Sequence, residues 1–309
     1  MREPHETQLQ RGGNLGSCGQ LCKAQGRTVQ KLLASTAILV LTAGLAAADV
    51  TLSGDARMGV IDDFGADNTG FTSRARVKFT LTGITDGGIS FGAEFRMNDA
   101  EAANIGDAGE VYIAGVFGKL TMGDIDSAAE QAVGQVSTVG LTELGNLNEV
   151  AYNAEGDEPA TPRLSYEYSR GAFTGYVSMV DPIADTERYA VGLKFASDLY
   201  SVSLGYEGVE TGFSQVLIGG SFIAGPVTGK LVYGDTQDAG DGGQLAVSLD
   251  YAVGSLTLTG FAQQGFDSSD RYGLGATYDL GGGASVIGGY VKDNSTGQDA
   301  MDVGVSFDF

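Results

Sequence analysis

The chain has 309 residues, with 39 acidic against 18 basic side chains and a formal charge of −21 at pH 7. So acidic a surface repels nucleic acid and anionic lipid, which excludes both as main partners. Its 49 glycines are tolerable where strands curve and turns are tight.

At the start, Arg27 and Lys31 precede an apolar run from Leu32 to Ala47 that closes on Ala46-Ala47-Ala48, the basic, apolar, small-residue order of a secretory signal peptide. The run is too short to be a membrane anchor on its own. The polar stretch Glu3 to Gln25 does not fit a signal peptide. We expect Val29 to be the true initiator, read from an alternative start codon. Residues 1–28 are then an extension from a misassigned start, 29–48 the cleaved signal and 49–309 the mature chain. Cys18, Cys22 and His5 all precede the mature chain, which therefore has no thiol and no imidazole. That excludes disulfides, a Cys or His metal site such as the Cys-x3-Cys pair would offer, and a histidine general base.

From Asp49 onward apolar residues alternate with polar ones and no 3.6-residue period is sustained, so the chain reads as β throughout. Val50, Leu52, Ala56, Met58 and Val60 share one face, with Thr51, Ser53, Asp55 and Arg57 on the other. Next, Ala75, Val77, Phe79 and Leu81 oppose Arg74, Arg76, Lys78 and Thr80; then Ile89, Phe91, Ala93 and Phe95 oppose Ser90, Glu94 and Arg96. The beat returns around Leu164–Tyr168, Tyr189–Phe195, Tyr200–Tyr206, Leu245–Tyr251, Tyr272–Leu280 and Met301–Phe309. It is less clean over Val111–Val116, Val216–Phe222 and Leu256–Gln263.

Short turns at Gly83–Gly88, Phe117–Gly118, Ser169–Gly171, Ala196–Asp198, Ala224–Pro226, Ala252–Ser255 and Leu280–Gly283 alternate with longer acidic loops. The loops lie near Asp62–Phe71, Asn98–Asp107, Gly123–Thr161, Asp181–Glu187, Gly208–Ser214, Asp235–Gly243, Gly265–Asp270 and Lys292–Asp299. These connections predict 16 antiparallel strands in an all-β transmembrane barrel, with short turns at one rim and long loops at the other. Only a closed barrel satisfies strand amides in lipid, and about 9–11 tilted residues suffice to cross. Tyr and Phe gather near strand ends, as interfacial girdles require.

Several segments resemble one family: Leu-Ser-Gly-Asp-Ala-Arg-Met-Gly-Val (Leu52–Val60), Ser-Arg-Ala-Arg-Val (Ser73–Val77), Phe-Gly-Lys-Leu-Thr-Met-Gly-Asp (Phe117–Asp124), Leu-Gly-Ala-Thr-Tyr-Asp-Leu-Gly-Gly-Gly-Ala-Ser (Leu274–Ser285) and the terminal Phe309. Together they are similar to the Rhodobacter-type general-diffusion porins of alphaproteobacteria. The resemblance implies a homotrimer in the outer membrane of a Gram-negative bacterium, surrounded by lipid and lipopolysaccharide, with the third loop folded into the lumen. It also implies that Phe309 is the signal by which the barrel-assembly machinery recognises its client.

A barrel of this size leaves an aqueous channel unless something narrows it. The 123–161 loop is the candidate, because its apolar residues Val133, Val136, Leu141, Leu144, Leu147, Val150 and Tyr152 would pack inside the barrel. Its acids Asp124, Asp126, Glu130, Glu143, Glu149, Glu155, Asp157 and Glu158 are expected to face a basic wall of Arg57, Arg74, Arg76, Lys78 and Arg96 across the constriction. The resulting transverse field would favour small hydrophilic solutes, with a weak preference for cations. A blander reading pairs Arg74 and Arg76 with Glu94 or Glu110 in structural ion pairs. No cofactor is required, although the acidic groups Glu155, Asp157, Glu158 and Asp235, Asp238, Asp241 are candidate Ca²⁺ ligands. A channel specific for sugar or phosphate, and a secreted soluble β adhesin, stand as alternatives. An enzyme does not, since the adjacent carboxylates Asp62 and Asp63 lie in a loop and the histidine is lost.

Overall fold

The computed structural model describes residues 48–62, 64, 69–98, 109–154, 163–180, 186–210, 212–236 and 242–309. The expected extension and nearly all of the signal segment lie outside them.

Sixteen antiparallel strands close into one barrel: β1 (Asp49–Asp62), β2 (Thr69–Ile84), β3 (Ser90–Asn98), β4 (Glu110–Gly115), β5 (Gly118–Gly123), β6 (Arg163–Arg170), β7 (Phe173–Val180), β8 (Arg188–Ala196), β9 (Tyr200–Val209), β10 (Ser214–Ala224), β11 (Val227–Thr236), β12 (Gly243–Val253), β13 (Leu256–Gln264), β14 (Asp270–Gly281), β15 (Ala284–Asp293) and β16 (Asp299–Asp308). Each strand pairs with its sequence neighbours, and β16 returns to β1. The closing seam runs from Asp55↔Asp308 to Asp62↔Met301, so no edge is left open. Helix α1 (Ala128–Val133) and a short turn at Glu143–Asn146 sit in the segment between β5 and β6.

Every expected turn and long connection is found within a few residues of its predicted place. The three indistinct segments are strands as well: β4, β10 and β13. Their alternation is blurred because their inward positions hold Tyr112, Leu217 and Phe261. The last two are buried.

The buried apolar clusters lie between the long loop and the inner wall. Ala128, Ala129, Val136, Val150, Tyr152 and Ala154 of the loop pack on Ala190, Leu217, Val232 and Ala246 of the wall. Val139 and Leu144 pack with Phe261, Val291 and Ala300, joined by Ile61, Phe64 and Leu147. Outward positions carry the exposed valines, leucines and aromatics instead. Hydrocarbon outside and a packed loop inside invert the plan of a soluble protein.

Glycine makes room for the loop. Beneath α1 lie Gly192, Gly205 and Gly219 on three successive strands; a Cβ at Gly205 would stand 2.9 Å from Ala129 Cβ, and one at Gly219 2.9 Å from Val133 Cγ1. Farther along, Cβ atoms at Gly275 and Gly289 would strike Val139 at 2.8 Å and Gly140 at 2.5 Å. Inserting bulk into such a contact typically costs about 1–3 kcal/mol. Gly205→Leu is therefore expected to lower the temperature at which the compact barrel band converts to the unfolded band on gels, and to alter conductance. The outward-facing Gly220→Leu, whose Cβ would meet only Ser201 O at 3.7 Å, should change neither.

Candidate functional site

The loop carpets only part of the wall. Helix α1 lies against β7, β8, β9 and β10. Ser137 reaches β12, through Ser248 Oγ to its amide at 3.0 Å and through its own hydroxyl to Asp250 Oδ2 at 2.7 Å. Val139 meets the glycines of β14, and Leu141 reaches β16 and β1 before the chain turns back to β12 and β9. On β2, by contrast, the inward side chains of Arg74 and Lys78 stay 22% and 44% exposed. Charged side chains concentrate there, whereas small residues line much of the covered wall.

Register puts Arg57, Arg74, Arg76, Lys78 and Arg96 on one inner face of three adjoining strands, with Arg57 opposite Arg74, Arg76 opposite Asp55 and Lys78 opposite Arg96. Arg74 Nη2 pairs with Asp55 Oδ2 at 3.0 Å. Glu94 pairs with Lys78 and accepts from Thr80 Oγ1 at 3.2 Å. Glu110 faces Lys119 at 3.8 Å, and Lys119 lies over the Tyr112 ring. The blander alternative, which pairs Arg74 and Arg76 with Glu94 or Glu110, does not describe Arg74. Nearer lysines take both glutamates, and Asp55, one strand away from Arg74, takes the arginine. Arg57 Nη1 donates instead to the Leu141 carbonyl at 3.1 Å.

The loop acids divide into two places. Asp124 and Asp126 are exposed at the stem, bordering a polar recess of about 220 Å³ with Glu110, Lys119, Gln131 and Glu167. Glu130 is half-buried and accepts from Gln135 Nε2 at 3.2 Å. Glu143 and Glu149 are exposed toward the far end. Glu155, Asp157 and Glu158 lie outside the described residues, as do Asp63, Asp238 and Asp241. Asp235 points outward at the loop end of β11. Among the described residues no three acidic, His or Cys side chains are grouped to hold a metal.

Sequence reading missed the residues that hold the loop. Fully buried Glu207 accepts from Ser127 Oγ at 2.7 Å, Asn153 N at 2.7 Å and Gln215 Nε2 at 2.6 Å. Gln244 accepts from Ala151 N at 2.7 Å and returns a bond to Ala151 O at 2.8 Å. Ser127 also caps α1 through the Glu130 amide, and the Ala128 amide donates to Ser178 Oγ. Arg163 and Arg188 donate to the backbone carbonyls of Ile125 and Asn153. The available signal was long polar side chains at inward positions, where water-filled lumen would need none in particular.

At the opposite rim Phe309 N donates to Gly54 O at 2.8 Å and Gly54 N to Phe309 O at 3.2 Å, so the terminal residue continues the seam. Its ring is exposed beside Phe307.

The Gram-negative porin family model matches residues 34–298. A porin of Rhodobacter capsulatus is 34% identical over 304 residues, covering 84% of this chain and all of the relative. A porin of Fuscovulum blasticum is 26% identical with the same coverage of each chain. A solved porin structure superposes with a TM-score of 0.73 at 31% identity, covering 84% of this chain and all of that one. These relatives are channels, not enzymes, and the family resides in the outer membrane. With its closed barrel and loop-lined lumen, this chain belongs to the Gram-negative porin family and is an outer-membrane general porin channel.

Proposed function

We propose that the channel passes small hydrophilic solutes and ions with a weak cation preference, and that a transverse field at its narrowest part sets this selectivity. The reading is supported by the bare wall: Arg57, Arg74, Arg76, Lys78 and Arg96 stand together on β1–β3, while exposed Glu143, Glu149, Asp124 and Asp126 stand on the loop. Fixed charge of opposite sign on two sides orders water and dipolar solutes, and apolar molecules must displace that water. Among the described residues no inward-facing aromatic ladder supports a sugar-specific channel, and the loop acids disfavour phosphate.

A homotrimer is the second part of the proposal. Every outward-facing tyrosine stands between β6 and β15, among them Tyr166, Tyr189, Tyr206, Tyr251 and Tyr278. On β16 and β1–β5 the outward residues include Met58, Val77, Phe95, Val111 and Val303, without a tyrosine. Tyrosine marks the headgroup level, so a sector lacking it fits burial against protein rather than lipid. Strands β4 and β5 have six residues each, fewer than the 9–11 that a lipid-facing strand needs. The remaining circumference meets lipid and lipopolysaccharide. Export by the cleaved signal, and recognition of Phe309 by the assembly machinery, complete the reading. Calcium bridging acidic loops would strengthen the trimer without being a required cofactor.

Replacing both Arg74 and Arg76 with alanine is expected to raise the cation-over-anion permeability ratio in planar bilayers roughly twofold at 0.1 M salt. The change should fade near 1 M, where the Debye length is about 3 Å. Unchanged selectivity and conductance would remove the field. In detergent the channel should sediment with three chain masses; Val111→Arg should yield a folded single chain, and Leu274→Arg should leave the trimer intact. EDTA should lower the temperature at which the trimer dissociates, and no shift would dismiss calcium.

A further inference from the structure

The loop's far end is held at the seam where β1 and β16 close the barrel. Asp302, on β16, is 4% exposed. Its Oδ1 accepts from Leu141 N at 2.9 Å, and its Oδ2 accepts from Thr142 N and Thr142 Oγ1, both at 2.7 Å. From the other side of the seam, Arg57 Nη1 donates to Leu141 O at 3.1 Å. Asp302 lies opposite Ile61, and Arg57 opposite Ser306. Between these two pairs Gly59 faces Gly304, and the Leu141 side chain fills the space: a Cβ on either glycine would approach its Cδ2 to 2.5 or 2.6 Å. Four hydrogen bonds from two strands therefore grip residues 141 and 142.

The chain beyond the grip takes a conformation that L-residues avoid. Glu143, Leu144, Gly145 and Asn146 have φ of 67°, 44°, 76° and 54°, a single left-handed turn. Such backbone persists only where its surroundings over-determine it. Here the grip fixes one side, and Leu144, 1% exposed, is fixed by the cluster with Val291 and Ala300. The turn leaves Glu143 exposed, next in the chain to Thr142, which Asp302 holds, and two residues from Leu141, which Arg57 holds.

We infer that Asp302, with Arg57 across the closing seam, is a positioning residue that fixes where the Glu143 carboxylate stands in the channel and so sets ion selectivity. This deepens the porin reading and rests on it. Since one half of the grip is on β16 and the other on β1, the final aperture forms only after the barrel closes. A loop from the first half of the chain waits for an anchor supplied by its last strand.

Thr142→Val, which changes no charge, tests this in planar bilayers alongside Asp302→Asn and Glu143→Gln. Thr142→Val is expected to shift the reversal potential in a salt gradient toward that of Glu143→Gln, with wild-type heat-dependent gel mobility. It should have no further effect in a Glu143→Gln background, where there is no carboxylate to misplace. Asp302→Asn should act in the same direction but more strongly, splitting the single open conductance level into several. Wild-type selectivity in both variants, or shifts by Thr142→Val that simply add to that of Glu143→Gln, would overturn the inference. If the unaltered protein opened no channels at all, the porin reading itself would fail, which is a different result.

Discussion

A strand in hydrocarbon has no water to offer its amides, so the pairing of β16 with β1 is the constraint on which the rest depends. Once that seam closes, each inter-strand bond is made within the wall and the outward side chains need only be apolar. The hydrophobic effect is then freed from holding the strands around a central core. Phe309 and Gly54 extend the same pairing to the end of the chain, which ties the terminus directly to closure.

Closure creates a lumen, and the loop between β5 and β6 narrows it by a packing problem of the ordinary kind. Where the loop lies, wall positions are small or apolar: Gly192, Gly205, Ala190, Leu217 and Ala246. Its polar groups are met by Glu207, Gln244 and Asp302, because a backbone amide or hydroxyl removed from water needs a partner. Elsewhere along the inner wall, the side chains are long and charged. The two kinds of wall are one design. Gly and Ala leave room for the loop, and the charged residues that do meet it, such as Glu207 and Asp302, are spent on its backbone.

The barrel was legible in the sequence because the two-residue beat belongs to individual strands and needs no knowledge of their partners. The blurred segments were those whose inner face serves the loop: Leu217 and Phe261 sit at inward positions because Ala129, Val136 and Val139 are nearby, and only the fold reveals that. The loop's apolar anchors were also readable, since Val136, Leu141, Leu144, Val150 and Tyr152 would have no use in open solvent, and all are buried. What could not be read was partnership. Arg74 could have met any of several acids; register sets Arg76 directly opposite Asp55, yet it is the diagonal Arg74 that pairs with it. Glu207 and Asp302 looked like two more acids in a chain rich in them, until the loop backbone was seen to point at them.

The ion pairs of the bare wall bear on what those charges are for. Exposed pairs contribute about 0–1 kcal/mol each, so Arg74 with Asp55, Lys78 with Glu94 and Lys119 with Glu110 do little for barrel stability. They do restrict where flexible side chains point. A lysine tied to a neighbouring strand keeps its charge near the wall instead of sweeping the lumen. Arg57 is restrained more firmly still, since its partner is a loop carbonyl and not a mobile carboxylate. The same guanidinium therefore stands among the basic residues of β1–β3 and also holds the loop.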